Sequence, residues 1–249
     1  MENNKIMEKE TLKNILDFLE KNDNKNKPFK WKLLNNEPLT EDELTIKADL
    51  DLEKSNITSL PEGLMVYGTL DLYRCKQLTS LPEDLYVSMN LDLAQTNITS
   101  LPDGLQVGGR LNLASTKITS LPENLDVGGE LILNGCTELT SLPEGLEIQD
   151  NLYLSNCIKL TSLPKKIKVL DNLDLTGSAI TYLPEGLEVG GELLLDDTKI
   201  ASLPKGLKVG TWLSIYNTPL EEYSDEDLRE MIYPGKIMMG IIRIGVNSL

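Results

Sequence analysis

The chain has 249 residues, with 39 acidic and 24 basic side chains, a formal net charge of −15, and no histidine. That charge argues against a nucleic-acid backbone as partner, because phosphates would be repelled. The missing histidine removes His-based triads, His general bases and His metal ligands together.

No run of about 18 apolar residues occurs, so no membrane-spanning helix is expected. The opening MENNKIMEKE carries no apolar core of a secretory signal. A cytoplasmic protein is the expectation, with effector export or association with a virion left open.

Residues 1–24 read as a helix with an apolar stripe at Ile6, Leu12, Ile15, Leu16 and Leu19, followed by the polar spacer NDNKNK. That helix would either cover an open apolar end of the downstream fold or bind a partner. Residues 25–43 form an approach segment read as an N-terminal cap. Alternation at Phe29, Trp31 and Leu33 suggests a strand, and the Thr40/Glu43 spacing fits a capping box with one helical turn at 40–44.

From 44 to 220 the chain repeats itself. A Leu-Pro pair recurs at Leu60, Leu81, Leu101, Leu121, Leu142, Leu163, Leu183 and Leu203, at intervals of 20 or 21 residues. The frame is Leu-Pro-x-x-Leu-x-Val, two turn residues, then x-Leu-x-Leu-x-x-Thr-x-Ile. So short and regular a period predicts a solenoid whose rungs bury their apolar edges on one another. The frame gives nine strands, from Leu50-Asp51-Leu52 to the one starting at Leu213, each with two leucines inward and the residue between them outward. The Leu-Pro-Glu-Gly-Leu segment is too short for a helix and is expected to run extended. The pairs Gly108-Gly109, Gly128-Gly129 and Gly190-Gly191 mark the bend into the strand, with positive φ expected there.

These residues carry a family resemblance. Leu-x-Leu-x-x-Thr (or Cys) followed by Ile or Leu and closed by Thr-Ser-Leu-Pro resembles the leucine-rich repeat family. The LPEGL segment is similar to the bacterial LPX class known from type III secreted effectors. The resemblance implies a leucine-rich repeat solenoid: a curved parallel β-sheet of about nine repeats with an extended convex side, between a helical N-terminal and an α/β C-terminal cap. Some effectors of that class carry a cysteine-dependent ubiquitin-ligase domain after the repeats. Here residues 221–249 contain no cysteine, so no enzyme activity is carried over. The repeats also depart from that class, with Thr or Cys where it commonly has Asn and a single Leu-Pro per repeat.

Beyond the repeats, Ser224 and Asp227 read as a helix start, Leu228, Met231 and Ile232 as its apolar face, and Pro234-Gly235 as its end. Lys236 to Val246 reads as a final edge strand.

Five residues after each first strand leucine stands a small polar residue, in order Ser55, Cys75, Thr96, Thr116, Cys136, Cys157, Ser178, Thr198 and Thr218. All three cysteines fall in this column, and all in 21-residue repeats. A side chain there can bond the turning backbone, and Cys serves as a small hydrophobe. The cysteines are therefore expected in the core, with no metal, no disulfide and no cofactor.

Function should reside on the outward columns of the sheet. The middle column runs Asp51, Asp71, Asp92, Asn112, Ile132, Tyr153, Asp174, Leu194, Ser214. Its first three aspartates repel one another and would welcome a cation or a basic partner; a solvated acidic face is the alternative. Ile132 and Tyr153 form an outward apolar pair, and Leu194, Trp212 and Tyr216 form a second group, of the composition found at interface hot spots. A C-terminal cap folded over Trp212 and Tyr216 would explain those two differently. The expected function is a non-catalytic protein-binding module using the sheet face. The alternatives are a self-associating or particle-bound assembly protein, possibly phage-encoded, and a secreted bacterial effector acting as scaffold.

Overall fold

The computed structural model describes residues 28–35 and 37–243. The helix expected over residues 1–24, its spacer, and residues 244–246 of the final strand lie outside the described residues. The chain divides into two compact units, 1–44 and 45–249.

In the first unit, the strand expected at Phe29–Leu33 is corrected to a short helix, α1 (Phe29–Leu34). Its inner face is Phe29, Lys32 and Leu33, spaced i, i+3, i+4. The alternating set misled because Trp31 points outward, 41% exposed, while Lys32 is buried. The Lys32 ammonium is paired with Glu43 at 2.5 Å. That pairing, with the Thr40 N–H bond, holds the Glu43 carboxyl below the ordinary range. The turn predicted from Thr40 and Glu43 is present: Thr40 N–H donates to Glu43 Oε2 at 2.9 Å, ahead of a 3-10 turn at Glu41–Leu44.

The second unit is a parallel β-solenoid with a period of about 20 residues. Strands are numbered in chain order and fall into two series. The even series is β2 (Leu50–Asp51), β4 (Leu70–Asp71), β6 (Leu91–Asp92), β8 (Leu111–Asn112), β10 (Leu131–Ile132), β12 (Leu152–Tyr153), β14 (Leu173–Asp174), β16 (Leu193–Leu194), β18 (Trp212–Ser214) and β20 (Gly240–Ile242). These form one ten-stranded sheet.

The odd series begins at β1 (Thr45–Ile46), and its members within the later repeats lie at the Leu-x-Val position or its equivalent, as β15 does at Glu188–Val189. It makes two five-stranded ladders, broken between β9 (Asp126–Val127) and β11 (Glu147–Ile148). The Leu-Pro-Glu-Gly-Leu segment expected to run extended is corrected to a turn, with Leu187 N–H donating to the Pro184 carbonyl around Gly186 at positive φ. The residues after it form a second ladder that the single Val of each repeat does not announce.

Register is strict: Leu131 lies beside Leu111 and Leu152, and Ile132 beside Asn112 and Tyr153. Each residue therefore sits on its own equivalent one rung away. A full rung contributes six buried apolar side chains, as Leu183, Leu187, Val189, Leu193, Leu195 and Ile200 do. Each removes roughly 1.5–3 kcal/mol worth of apolar surface from water, so the core is a stack of identical layers.

The closing rung follows the sequence reading in part. Ser224 and Asp227 form a reciprocal capping box at the start of α2 (Asp225–Met231), and Leu228 and Ile232 are buried. The following segment is two short strands rather than one: β19 (Lys236–Ile237) joins the odd ladder and β20 the even sheet.

The glycine pairs are corrected as well. Positive φ occurs at Gly186 and its glycine equivalents in the Leu-Pro-x-Gly turn and at the corner after each even strand from β2 to β18, for example Asn156 at 59°; Gly190 and Gly191 have none. Close approach explains the pairs. A Cβ on Gly190 would lie 1.9 Å from the Leu170 carbonyl oxygen of the preceding rung, whereas one on Gly186, with φ +69, is opposed only by the strain of its own backbone. Gly190→Ala is therefore expected to cost more than about 2 kcal/mol of unfolding free energy, because backbone must move. Gly186→Ala should cost about 1 kcal/mol, the left-handed penalty alone. Urea unfolding of both variants measures this; equal losses would remove the close-approach explanation.

Candidate functional site: the outward face of the ten-stranded sheet

Each corner of the solenoid leaves two backbone groups outside the sheet ladder. In the second repeat these are the Tyr73 N–H and the Leu52 carbonyl, which would otherwise bond each other. Tyr73 N–H donates instead to Asp71 Oδ1 at 2.9 Å, and the Leu52 carbonyl accepts from Cys75 Sγ at 3.0 Å and from Ser55 N–H. The same device recurs along the sheet. Asp51, Asp92 and Asp174 each accept from the N–H two residues on at 2.9 Å, and Asn112 does so at 3.1 Å.

Thr96, Thr116, Thr198 and Thr218 close the corner from the other side, donating Oγ1 to the carbonyl three residues back at 2.6–2.8 Å. Thr bonds its own rung, whereas Cys136 and Cys157, like Cys75, bond the rung before. The backbone groups of these corners are thus satisfied within the chain, whereas Ser178 Oγ in the same column is buried with no partner.

The three thiols are free and buried, as their place in the repeat predicts. Burial pushes the Cys157 thiol up to about 12 and raises that of Cys136.

The stacked aspartates accordingly have a structural role that sequence reading missed. Asp51, Asp71 and Asp92 are in register on β2, β4 and β6, each with one carboxylate oxygen committed to backbone. Asn112 Nδ2 ends the series by donating to Asp92 Oδ2 at 3.0 Å. Burial, then the neighbouring Asp92 and Asp51 charges, raise the Asp71 pKa. Among the described residues no three Cys, Asp or Glu side chains are grouped to hold a metal ion.

Two corners in the second half of the sheet are closed from the rung before. Ser155 N–H is accepted by Asn134 Oδ1 of the preceding rung at 3.0 Å, and Tyr216 N–H by Asp196 Oδ1 at 2.9 Å. Tyr153 and Ser214 thereby occupy middle-column positions released from the acceptor role.

Asp196 is 2% exposed; it also accepts from Ser214 Oγ at 2.5 Å, and its Oδ2 is buried with no hydrogen-bond partner. Burial raises its pKa against those two bonds. A polar residue two places after an even strand, on a rung followed by a middle position lacking Asp or Asn, is the signal that would have found Asn134 and Asp196.

The expected apolar residues are only partly brought together. Ile132 and Tyr153 are adjacent partners on β10 and β12, both half-buried. Leu194 is also half-buried, but Asp174 separates it from Tyr153 in the column. Trp212 pairs with Gly240 of β20, and a Cβ on that glycine would come within 2.6 Å of the indole. The closing rung thus lies against Trp212, which stays 37% exposed, as Tyr216 does at 41%. A groove of about 700 Å³ lies on the Thr-Ser-Leu-Pro edge, lined by Leu142, Leu163 and Tyr182 among others, and contains none of these residues.

No protein-family model and no curated protein sequence matches this chain.

Two measurements test this corner chemistry. Asp71→Asn keeps the acceptor for the Tyr73 N–H and removes a like charge, so it should stabilise the fold at neutral pH by up to about 1 kcal/mol. Because the Asp71 pKa is raised in the fold, its charged form is the destabilised one. The gain should therefore shrink as pH falls through that raised pKa; a loss of stability at neutral pH would contradict the assignment. Second, Ellman's reagent at pH 8 should label none of the three thiols in native protein and all three after unfolding.

Proposed function

We propose that the chain is a leucine-rich repeat protein that binds another protein on the outward face of its ten-stranded sheet, with no catalytic role. In this reading residues 25–43 and 221–249 are its caps. One observation carries the reading. The column that the fold fills with Asp or Asn to close its corners carries Ile132, Tyr153 and Leu194 in its second half, and corner closure moves to Asn134 and Asp196 on the rungs before Tyr153 and Ser214.

Apolar groups at outward positions cost solubility and here serve no ladder. Half-buried aromatic and branched aliphatic side chains on a rigid sheet are what an interface core uses. Rigidity helps, because strand residues locked in register lose little entropy on binding.

A second reading has its own support. Among the described residues β19 and β20 end their ladders with an unpaired edge, beside exposed Tyr233, Met238 and Met239. Open edges favour self-association, and concentration-dependent mass by light scattering would reveal it.

The test of the first reading is affinity capture from the native cell lysate with wild type and with Ile132→Asp plus Tyr153→Ala. Both must melt alike. A partner held by wild type and lost by the variant is the expected result; one held equally by both moves binding off the sheet face.

A further inference from the structure

Charge on this solenoid is distributed by face. On other faces carboxylates meet lysines rung to rung: Glu138 with Lys159 at 2.6 Å, Glu147 with Lys168 at 3.2 Å and Glu188 with Lys208 at 2.5 Å. The outward face of the ten-stranded sheet is different. From the fifth to the ninth repeat the middle column, with the outward positions two residues before and two residues after it, contains Glu130, Asp174, Glu192 and Asp196 and no Lys or Arg. None of these four is in an ion pair among the described residues.

Tyr153 lies on the rung between those of Glu130 and Asp174. Its hydroxyl is held above its ordinary pKa by burial and by the charges of Glu130, Asp150, Asp171 and Asp174. Ile132 is its neighbour on one side, and Asp174 then Leu194 follow on the other.

We propose that this patch seats an arginine of an extended protein segment, its guanidinium against the Tyr153 ring and the Asp174 and Glu130 carboxylates, with apolar residues two places either side on Ile132 and Leu194. It rests on the sheet-face reading above. An aromatic face beside carboxylates suits a guanidinium, which stacks and donates several hydrogen bonds at once. Spacing agrees as well. Ile132 and Leu194 are three rungs apart, about 14 Å at strand spacing. An extended chain covers about 13 Å in four residues and points alternate side chains to one side. Leu-x-Arg-x-Leu therefore matches the order apolar, aromatic-acidic, apolar.

The probe is the blocked peptide Leu-Ala-Arg-Ala-Leu, with Leu-Ala-Gln-Ala-Leu as control, titrated to millimolar concentration at low salt against isotope-labelled full chain. Amide shifts should concentrate on β10, β12, β14 and β16, and the glutamine peptide should bind at least about tenfold more weakly. The double variant Glu130→Gln plus Asp174→Asn should lose the same factor. It keeps every acceptor: Asn at 174 can hold the Thr176 N–H as Asn112 holds that of Ala114, and Gln at 130 can still accept from Asn151 Nδ2. Matching melting curves would exclude misfolding.

Equal binding of both peptides to these strands would overturn the arginine seat while leaving the sheet-face reading intact. Shifts of the arginine peptide centred on Asp51–Asp92 would overturn the location, and no shifts at all would overturn the seat. Failure of the sheet-face reading itself shows separately, as a captured partner indifferent to Ile132→Asp plus Tyr153→Ala.

Discussion

The structure depends on one constraint: every residue of the solenoid stacks on its own equivalent, one strand spacing away. Whatever occupies a column must therefore tolerate itself at about 4.8 Å. Leucine satisfies this on the inside, because identical branched side chains nest rung on rung and leave water together. Glycine satisfies it where backbones approach most closely, as at Gly190 and Gly210, each with its Cβ position inside 2 Å of the preceding carbonyl oxygen. The same constraint makes a column of aspartates costly, so such a column needs a reason.

That reason is the corner. A parallel ladder that turns away after two or three residues strands an N–H and a carbonyl at every rung, and each buried, unpaired group would cost about 1–3 kcal/mol. Asp or Asn in the middle column accepts the first, and a Thr or Cys side chain in the corner column covers the second. Repulsion between stacked aspartates is smaller than the penalty it prevents, which accounts for Asp51, Asp71 and Asp92 in succession. Asn112, neutral and able to donate to Asp92, shows the cheaper solution on the next rung.

How much of this was legible in the sequence depends on what periodicity encodes. Period and alternation place the inward leucines, the even strands and their register, since those depend only on which positions are apolar. The buried cysteines were legible because they share a column with Thr and Ser. The odd ladder was not, because a single Val per repeat is too little pattern to distinguish a paired strand from a coil. The glycine pairs were misjudged in cause: a sequence shows that a side chain is absent, not whether φ or a neighbour excludes it. The strand expected from Phe29, Trp31 and Leu33 was misjudged because only a partner eleven residues away, Glu43, makes the buried Lys32 ammonium of the helix tolerable. At the site, Ile132, Tyr153 and Leu194 were visible as outward apolar residues. Asn134 and Asp196, which release Tyr153 and Ser214 from the acceptor role, became visible only with hydrogen-bond geometry.

Separating what a column does for the fold from what it leaves over is what gives the sheet face meaning. In the first half, acidity is accounted for by corners, and Lys54 and Arg74 stand beside it. In the second half, two corners are closed from the rung before and Asp174 closes its own, yet Glu130 and Glu192 have no corner to close and stand with Asp174, without lysines, around side chains that prefer to leave water. An acidic rim around an apolar centre gains most from a partner that is basic and apolar together, since such a partner relieves repulsion and buries surface in one contact. A purely basic partner would gain as much from the first half of the sheet, where acids are denser. The mixture of chemistries, rather than charge alone, therefore favours the rungs around Tyr153.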